Sequence, residues 1–198
     1  MNFITSLFAI TTCTTQVALA ALGQQTPVKN DITIYVGDSR TVGLKNATDN
    51  ISEDDFYIAK VGEGYKWLVS TAEPEVEKIL EANQDKNINI VYNFGVNDLC
   101  NVDKYAEFVN NLDENKPENV NYYYVSINPV KSYPTVNNEQ ISSFNSRLSD
   151  ELNDDITWID TYTQMQLNGF TAPDGLHYSK DTYVDIYNTI VNYISEKS

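Results

Sequence analysis

Residues 32–36, Ile-Thr-Ile-Tyr-Val, form a β-branched and aromatic run that stops abruptly at Gly37-Asp38-Ser39-Arg40. Similar runs recur at 55–61 (DFYIAKV), 88–94 (INIVYNF), 121–127 (NYYYVSI) and 156–160 (ITWID), each closed by Gly, Asn-Pro or Asp. Apolar runs this short, bounded by turn residues, read as buried strands. The stretches between them carry a helical period. Residues 67–82 are one such stretch, with Pro74 placed to open a new helix at its first turn. Asp103 is a candidate cap for a helix through 112, which sets Tyr105, Phe108, Val109 and Leu112 on one face. Residues 138–152 align Ile141, Phe144, Leu148 and Leu152, and residues 180–195 align Tyr183, Ile186, Tyr187, Ile190, Val191 and Ile194. Strands alternating with helices, without long Gly/Pro linkers, predict a single α/β domain over residues 31–198. The expected architecture is a three-layer α/β/α sandwich around a mainly parallel, flavodoxin-like sheet of about five strands.

Charge narrows the partners. With 28 acidic and 13 basic residues the chain carries a formal charge of −15. It therefore repels phosphate backbones and anionic lipid surfaces, which argues against nucleic-acid binding. The first twenty residues contain no charged side chain, an apolar stretch over 3–10, and Ala18-Leu19-Ala20. They resemble a secretory signal peptide, with a polar linker at 21–30 behind it, and so predict a secreted or cell-surface protein. Six Thr/Ser residues in that segment make it a poor membrane anchor, so no stable membrane insertion is expected. Thr12 stands before Cys13 where lipid attachment would favour Gly or Ala.

Residue scarcity narrows the chemistry. Removal of the signal segment would leave Cys100 as the single cysteine, with no partner for an internal disulfide; it reads as a semi-buried structural thiol. His177 is the only histidine, which nearly excludes a His/Cys zinc site and makes it the one imidazole available to catalysis.

In a parallel α/β sheet ligands bind beyond the carboxyl ends of the strands. Four segments arrive there: Gly37-Asp38-Ser39-Arg40, Gly62-Glu63-Gly64-Tyr65, Gly95-Val96-Asn97-Asp98, and Asp174-Gly175-Leu176-His177 just before the last helix. Taken singly, each is ordinary turn chemistry: Ser39 as a helix N-cap, Asn97 and Gly64 as turn residues, His177 as a surface histidine. Together and in this order, they resemble the SGNH (GDSL-type) hydrolase family, over essentially the whole chain beyond the signal segment. Ser39 in GDSR matches the nucleophile block, Asn97 in GVND the asparagine block, and Asp174 with His177 the D-x-x-H block. Gly64 is preferred for the glycine block, with Gly62 the alternative. Arg40 stands where many family members carry leucine.

The resemblance implies a serine esterase or acylhydrolase that needs no metal or cofactor. Ser39 would attack, His177 would serve as base, Asp174 would orient the ring, and the Ser39 and Gly64 N–H groups with the Asn97 amide would form an oxyanion hole. Asp38 and Asp98 read as loop-ordering acids. Arg40 reads first as a salt-bridge partner and, as a lesser alternative, as a substrate contact; Tyr65 is either a pocket wall or core packing. Short acyl esters, especially acetyl esters on carbohydrate or cell-wall polymer, are the favoured substrates, with lipid-type esters and thioesters as alternatives. The competing classes are a non-catalytic carbohydrate- or protein-binding module on the same fold, and a flavodoxin-like binding or signalling domain.

Overall fold

A computed structural model describes residues 31–48 and 52–197. The predicted signal segment, the linker to residue 30 and Cys13 lie outside the described residues. Strands β1 (Ile32–Gly37), β2 (Asp55–Ala59), β3 (Ile88–Asn93), β4 (Val120–Val125) and β5 (Thr157–Ile159) form one sheet in the order β2-β1-β3-β4-β5. Every neighbouring pair is parallel. The register sets Gly37 level with Ala59 on one side and with Asn93 on the other. The strand ends therefore leave the sheet along one rim.

Successive strand residues point to opposite faces, and here both faces are covered, which is why apolar side chains predominate on both faces of the central strands. On one face Ile34, Val36, Ile90, Tyr92 and Tyr124 meet Val76, Tyr105, Val109, Ile141 and Leu148. These last come from α3 (Glu73–Ala82), α4 (Val102–Glu114) and α5 (Asn138–Glu151). On the other face Tyr35, Val91, Tyr123, Val125 and Ile159 meet Leu44, Ile186, Tyr187 and Ile190. These belong to α1 (Ser39–Thr48) and α7 (Lys180–Lys197). The result is the expected α/β/α sandwich.

The short helix α2 (Tyr65–Trp67) runs through one π-helical turn, Leu68–Ala72, into α3, where Pro74 occupies the first turn. Helix α5 starts with a capping box, Asn137 Oδ1 accepting from the Gln140 N–H while Gln140 Oε1 accepts from the Asn137 N–H. Helix α6 (Thr161–Asn168) had no counterpart in the sequence reading: Thr-Tyr-Thr-Gln-Met-Gln-Leu-Asn offers no apolar stripe, and Asp160 starts it by accepting the Thr163 N–H at 2.9 Å.

Two expectations are corrected. Asp103 does not cap α4; it lies one residue inside the helix and pairs with Arg147, while Asn101 holds the cap position after a 3-10 turn at Leu99–Asn101. Cys100, in that turn, is exposed rather than semi-buried.

Glu73 at the start of α3 is buried and accepts a hydrogen bond from Tyr92 Oη at 2.9 Å. Burial is the larger influence and pushes its carboxyl from 4.5 up to about 7, against the pull of the Tyr92 hydrogen bond. The folded state thus binds this proton more tightly than the unfolded chain. Its contribution to stability is complete below about pH 4.5 and is lost as pH rises through about 7. Glu73→Gln is expected to match wild type near pH 4 and to exceed it at pH 8 by about 3 kcal/mol in urea unfolding. An equal difference at both pH values would contradict the assignment.

Candidate active site

Strand β1 passes directly into α1, and Ser39 is the first residue of that helix. Asp38 caps it: Oδ1 accepts the Arg40 N–H at 2.9 Å. Asp38 is fully buried, and burial raises its carboxyl to about 6 despite the opposing influence of Arg40. Ser39 itself is 7% exposed at the rim. Its N–H belongs to the first turn of a helix, where amides lack intrahelical acceptors and the dipole favours negative charge.

The segment before α7 brings the imidazole to that serine. Asp174 Oδ1 accepts the N–H groups of Leu176 (2.9 Å) and His177 (2.7 Å), which curls the chain back on itself. Asp174 Oδ2 lies 2.7 Å from His177 Nδ1, and His177 Nε2 lies 2.8 Å from Ser39 Oγ. Gly175 makes the curl possible. Its φ of +86° suits glycine, and a Cβ there would overlap the Ser132 carbonyl oxygen. The Gly175 carbonyl in turn accepts the Lys131 N–H at 3.0 Å, tying this loop to the one after β4. The hydrogen bonds from the His177 ring and backbone, in that order, hold the Asp174 carboxyl down at about 2. With an ionised carboxylate at Nδ1, that nitrogen keeps the proton and Nε2 presents its lone pair to the serine hydroxyl.

Gly64 and Asn97 face each other across the same rim. Asn97 Nδ2 donates to the Glu63 carbonyl at 2.7 Å, which fixes the amide beside the Gly64 peptide. Asp98 joins the two loops: Oδ2 accepts the Tyr65 N–H and Asn101 Nδ2, each at 2.9 Å, and Oδ1 accepts Tyr105 Oη at 2.7 Å. A Cβ on Gly64 would lie 2.5 Å from Asp98 Oδ2, so only glycine fits against this carboxylate. Gly62 meets no such constraint and lies exposed at φ +78°. The close approach thus requires glycine at 64, whereas at 62 only the backbone conformation favours it. The linking role of Asp98 was not readable as more than loop ordering, since one of its acceptor bonds reaches back 33 residues to Tyr65.

Two candidates fall elsewhere. Arg40 is 2% exposed, so its guanidinium does not reach a substrate, and none of the ion pairs among the described residues includes it. Instead Nη1 donates to the Asn128 carbonyl at 2.8 Å and the guanidinium lies 5.3 Å from the centre of the Tyr178 ring. Tyr65 turns its ring edge-on to Tyr105 and Phe108, into the core on the α4 side. Its placement is that of packing.

Among the described residues no group of three or more His, Cys, Asp or Glu side chains is arranged to hold a metal ion, and no helix is long and apolar enough to cross a membrane.

Neither a protein-family model nor a curated protein matches the chain. Solved structures do. A protein described as an SGNH hydrolase from Slackia heliotrinireducens superposes with a TM-score of 0.60 at 14% identity, over 81% of this chain and 100% of that one. A member of the lipolytic G-D-S-L family from Veillonella parvula gives 0.57 at 14% identity, over 82% and 97%. The C-terminal catalytic domain of peptidoglycan O-acetyltransferase A from Streptococcus pneumoniae gives 0.58 at 18% identity, over 85% and 94%. The chain has the fold of these proteins.

Replacing Asp98 by Ala strips the acceptor from the Tyr65 N–H and from Tyr105 Oη. Unfolding by urea is expected to show a loss of about 1–3 kcal/mol, the usual penalty for unpaired polar groups away from water. A variant as stable as wild type would show that these bonds do not hold the two loops together.

Proposed function

We propose that this protein is a carboxylic ester hydrolase in which Ser39, His177 and Asp174 act as nucleophile, base and orienting acid. The observation that carries the reading is the unbroken chain of hydrogen-bond contacts, Asp174 Oδ2 to His177 Nδ1 at 2.7 Å and His177 Nε2 to Ser39 Oγ at 2.8 Å. A serine hydroxyl is a weak nucleophile until a base within this range can take its proton.

The steps follow from the geometry. Ser39 Oγ attacks the ester carbonyl carbon as its proton passes to His177 Nε2. Asp174, ionised, stabilises the imidazolium through Nδ1–H. The tetrahedral oxyanion is held by the N–H groups of Ser39 and Gly64 and by the Asn97 amide. The alcohol departs with the proton from Nε2, leaving an acyl-Ser39. Water, deprotonated by the same nitrogen, attacks that ester, and the acid leaves as Ser39 regains its proton.

Acetyl esters on a carbohydrate or cell-wall polymer are the proposed substrates, and the N-terminal segment is proposed to export the enzyme to where such polymers lie. The fold shared with a peptidoglycan O-acetyltransferase domain supports an acetyl group on a polymer.

A fluorophosphonate probe and p-nitrophenyl acetate test the reaction class. Wild type is expected to be labelled and to turn over the ester, and Ser39→Ala to do neither. Asp174→Asn should lower kcat about 10⁴-fold through the wrong ring tautomer. Asn97→Ala should cost about 10²–10³-fold as one oxyanion donor is lost. If wild type neither labels nor hydrolyses, the protein is a binding module on a hydrolase fold.

A further inference from the structure

A groove of about 380 Å³ lies between the loop after β3, which supplies Asn97, and the loop after β4. Its volume falls within the range of roughly 300–1,000 Å³ common to small-ligand sites. Asn97 and Cys100 line it from the first loop, Tyr133 and Thr135 from the second, with Gln140 from α5, Leu176 from the segment before α7, and aliphatic side chains from both loops. Leu176 is buried, whereas Tyr133 is 37% exposed. The lining includes two amides and a hydroxyl, and the carboxylate of Asp98, also in the lining, is engaged by Tyr65, Asn101 and Tyr105.

We infer that this groove is the subsite for the alcohol side of the substrate, that the alcohol is a saccharide, and that Tyr133 is the ring on which it stacks. The inference rests on the esterase reading and specifies its leaving group. Three features argue for a sugar over a long acyl chain. The groove is open to solvent, so it cannot withdraw an alkyl chain from water. Its lining offers amide and hydroxyl groups, which match a ring of hydroxyls. An aromatic face with water beside it suits the apolar face of a pyranose, whose edge stays hydrated. Leu176 precedes His177 in the chain and Asn97 is the proposed oxyanion donor, so the groove borders the residues of the proposed chemistry.

The groove also contains its own reporter, because Cys100 is exposed within it. Two measurements test the subsite. The first compares kcat/KM for a partially O-acetylated chito-oligosaccharide with that for ethyl acetate, whose alcohol is too short to span the groove. Tyr133→Ala is expected to reduce this ratio about tenfold, mainly through KM, and Tyr133→Phe to preserve it. The second uses a Cys13→Ser, Ser39→Ala protein, which retains one thiol and cannot consume the ester; the acetylated oligosaccharide should slow maleimide labelling of Cys100.

An unchanged ratio in Tyr133→Ala, or labelling of Cys100 indifferent to the oligosaccharide, would overturn the subsite. A change confined to the preference between p-nitrophenyl acetate and p-nitrophenyl octanoate would overturn it too, by assigning the groove to the acyl chain. Failure of the esterase reading would show separately, as absence of ethyl acetate turnover in wild type, while protection of Cys100 would still report saccharide binding.

Discussion

The parallel register of β1 against both of its neighbours is the constraint on which the rest of the structure depends. Gly37 lies level with Ala59 and with Asn93, so the chain leaves three adjacent strands at one height. Parallel strands require crossovers, and each crossover here returns a helix to one face of the sheet before the next strand starts. The loops at the carboxyl ends therefore gather at one rim whatever their separation in sequence. That is how Ser39 and His177, 138 positions apart, come within hydrogen-bond distance.

At the rim Asp174 and His177 are partly exposed, whereas Ser39 and Arg40 are buried. Arg40 pins the start of α1 to the Asn128 carbonyl at the end of β4 and lies against Tyr178, whose hydroxyl donates to the Pro129 carbonyl. One buried cation thus ties the helix that begins at Ser39 to the loop after β4 and to the segment before α7. Asp98 does the same for the Gly64 and Asn97 loops through three donors. Sites of this kind hold their geometry because each side chain that touches substrate is locked by another that does not. The arrangement also explains the identity of residue 40: a guanidinium long enough to reach Asn128 serves as a brace, not as a substrate contact.

Much of this could be read from the chain. The five strands were legible because their apolar runs are short and sharply ended, and α5 and α7 because Ile141, Phe144 and Leu148, or Tyr183, Ile186 and Ile190, recur at helical spacing. Helix α6 was not, since it is held by an Asp160 cap and one buried methionine rather than by an apolar stripe. The start of α4 was misplaced because an acid near a helix N-terminus marks the first turn as readily as the cap. The residues at the rim were identifiable as types in order. Gly64 was preferred there over Gly62, but the reason residue 64 must be glycine was hidden, because it lies in a tertiary contact, the Asp98 carboxylate against the Gly64 Cα. The exposure of Cys100 likewise depends on a 3-10 turn that no periodicity announces.

A chain with one imidazole allows an unusually direct test of the proposed relay. In protein labelled with ¹⁵N-histidine, NMR reports a single ring and assigns each nitrogen without ambiguity. The account predicts that the neutral ring carries its proton on Nδ1, seen as one slowly exchanging, strongly downfield proton that disappears in Asp174→Asn. A ring carrying its proton on Nε2, or one with both nitrogens exchanging freely with water, would mean that Asp174 and Ser39 do not grip His177 from its two sides.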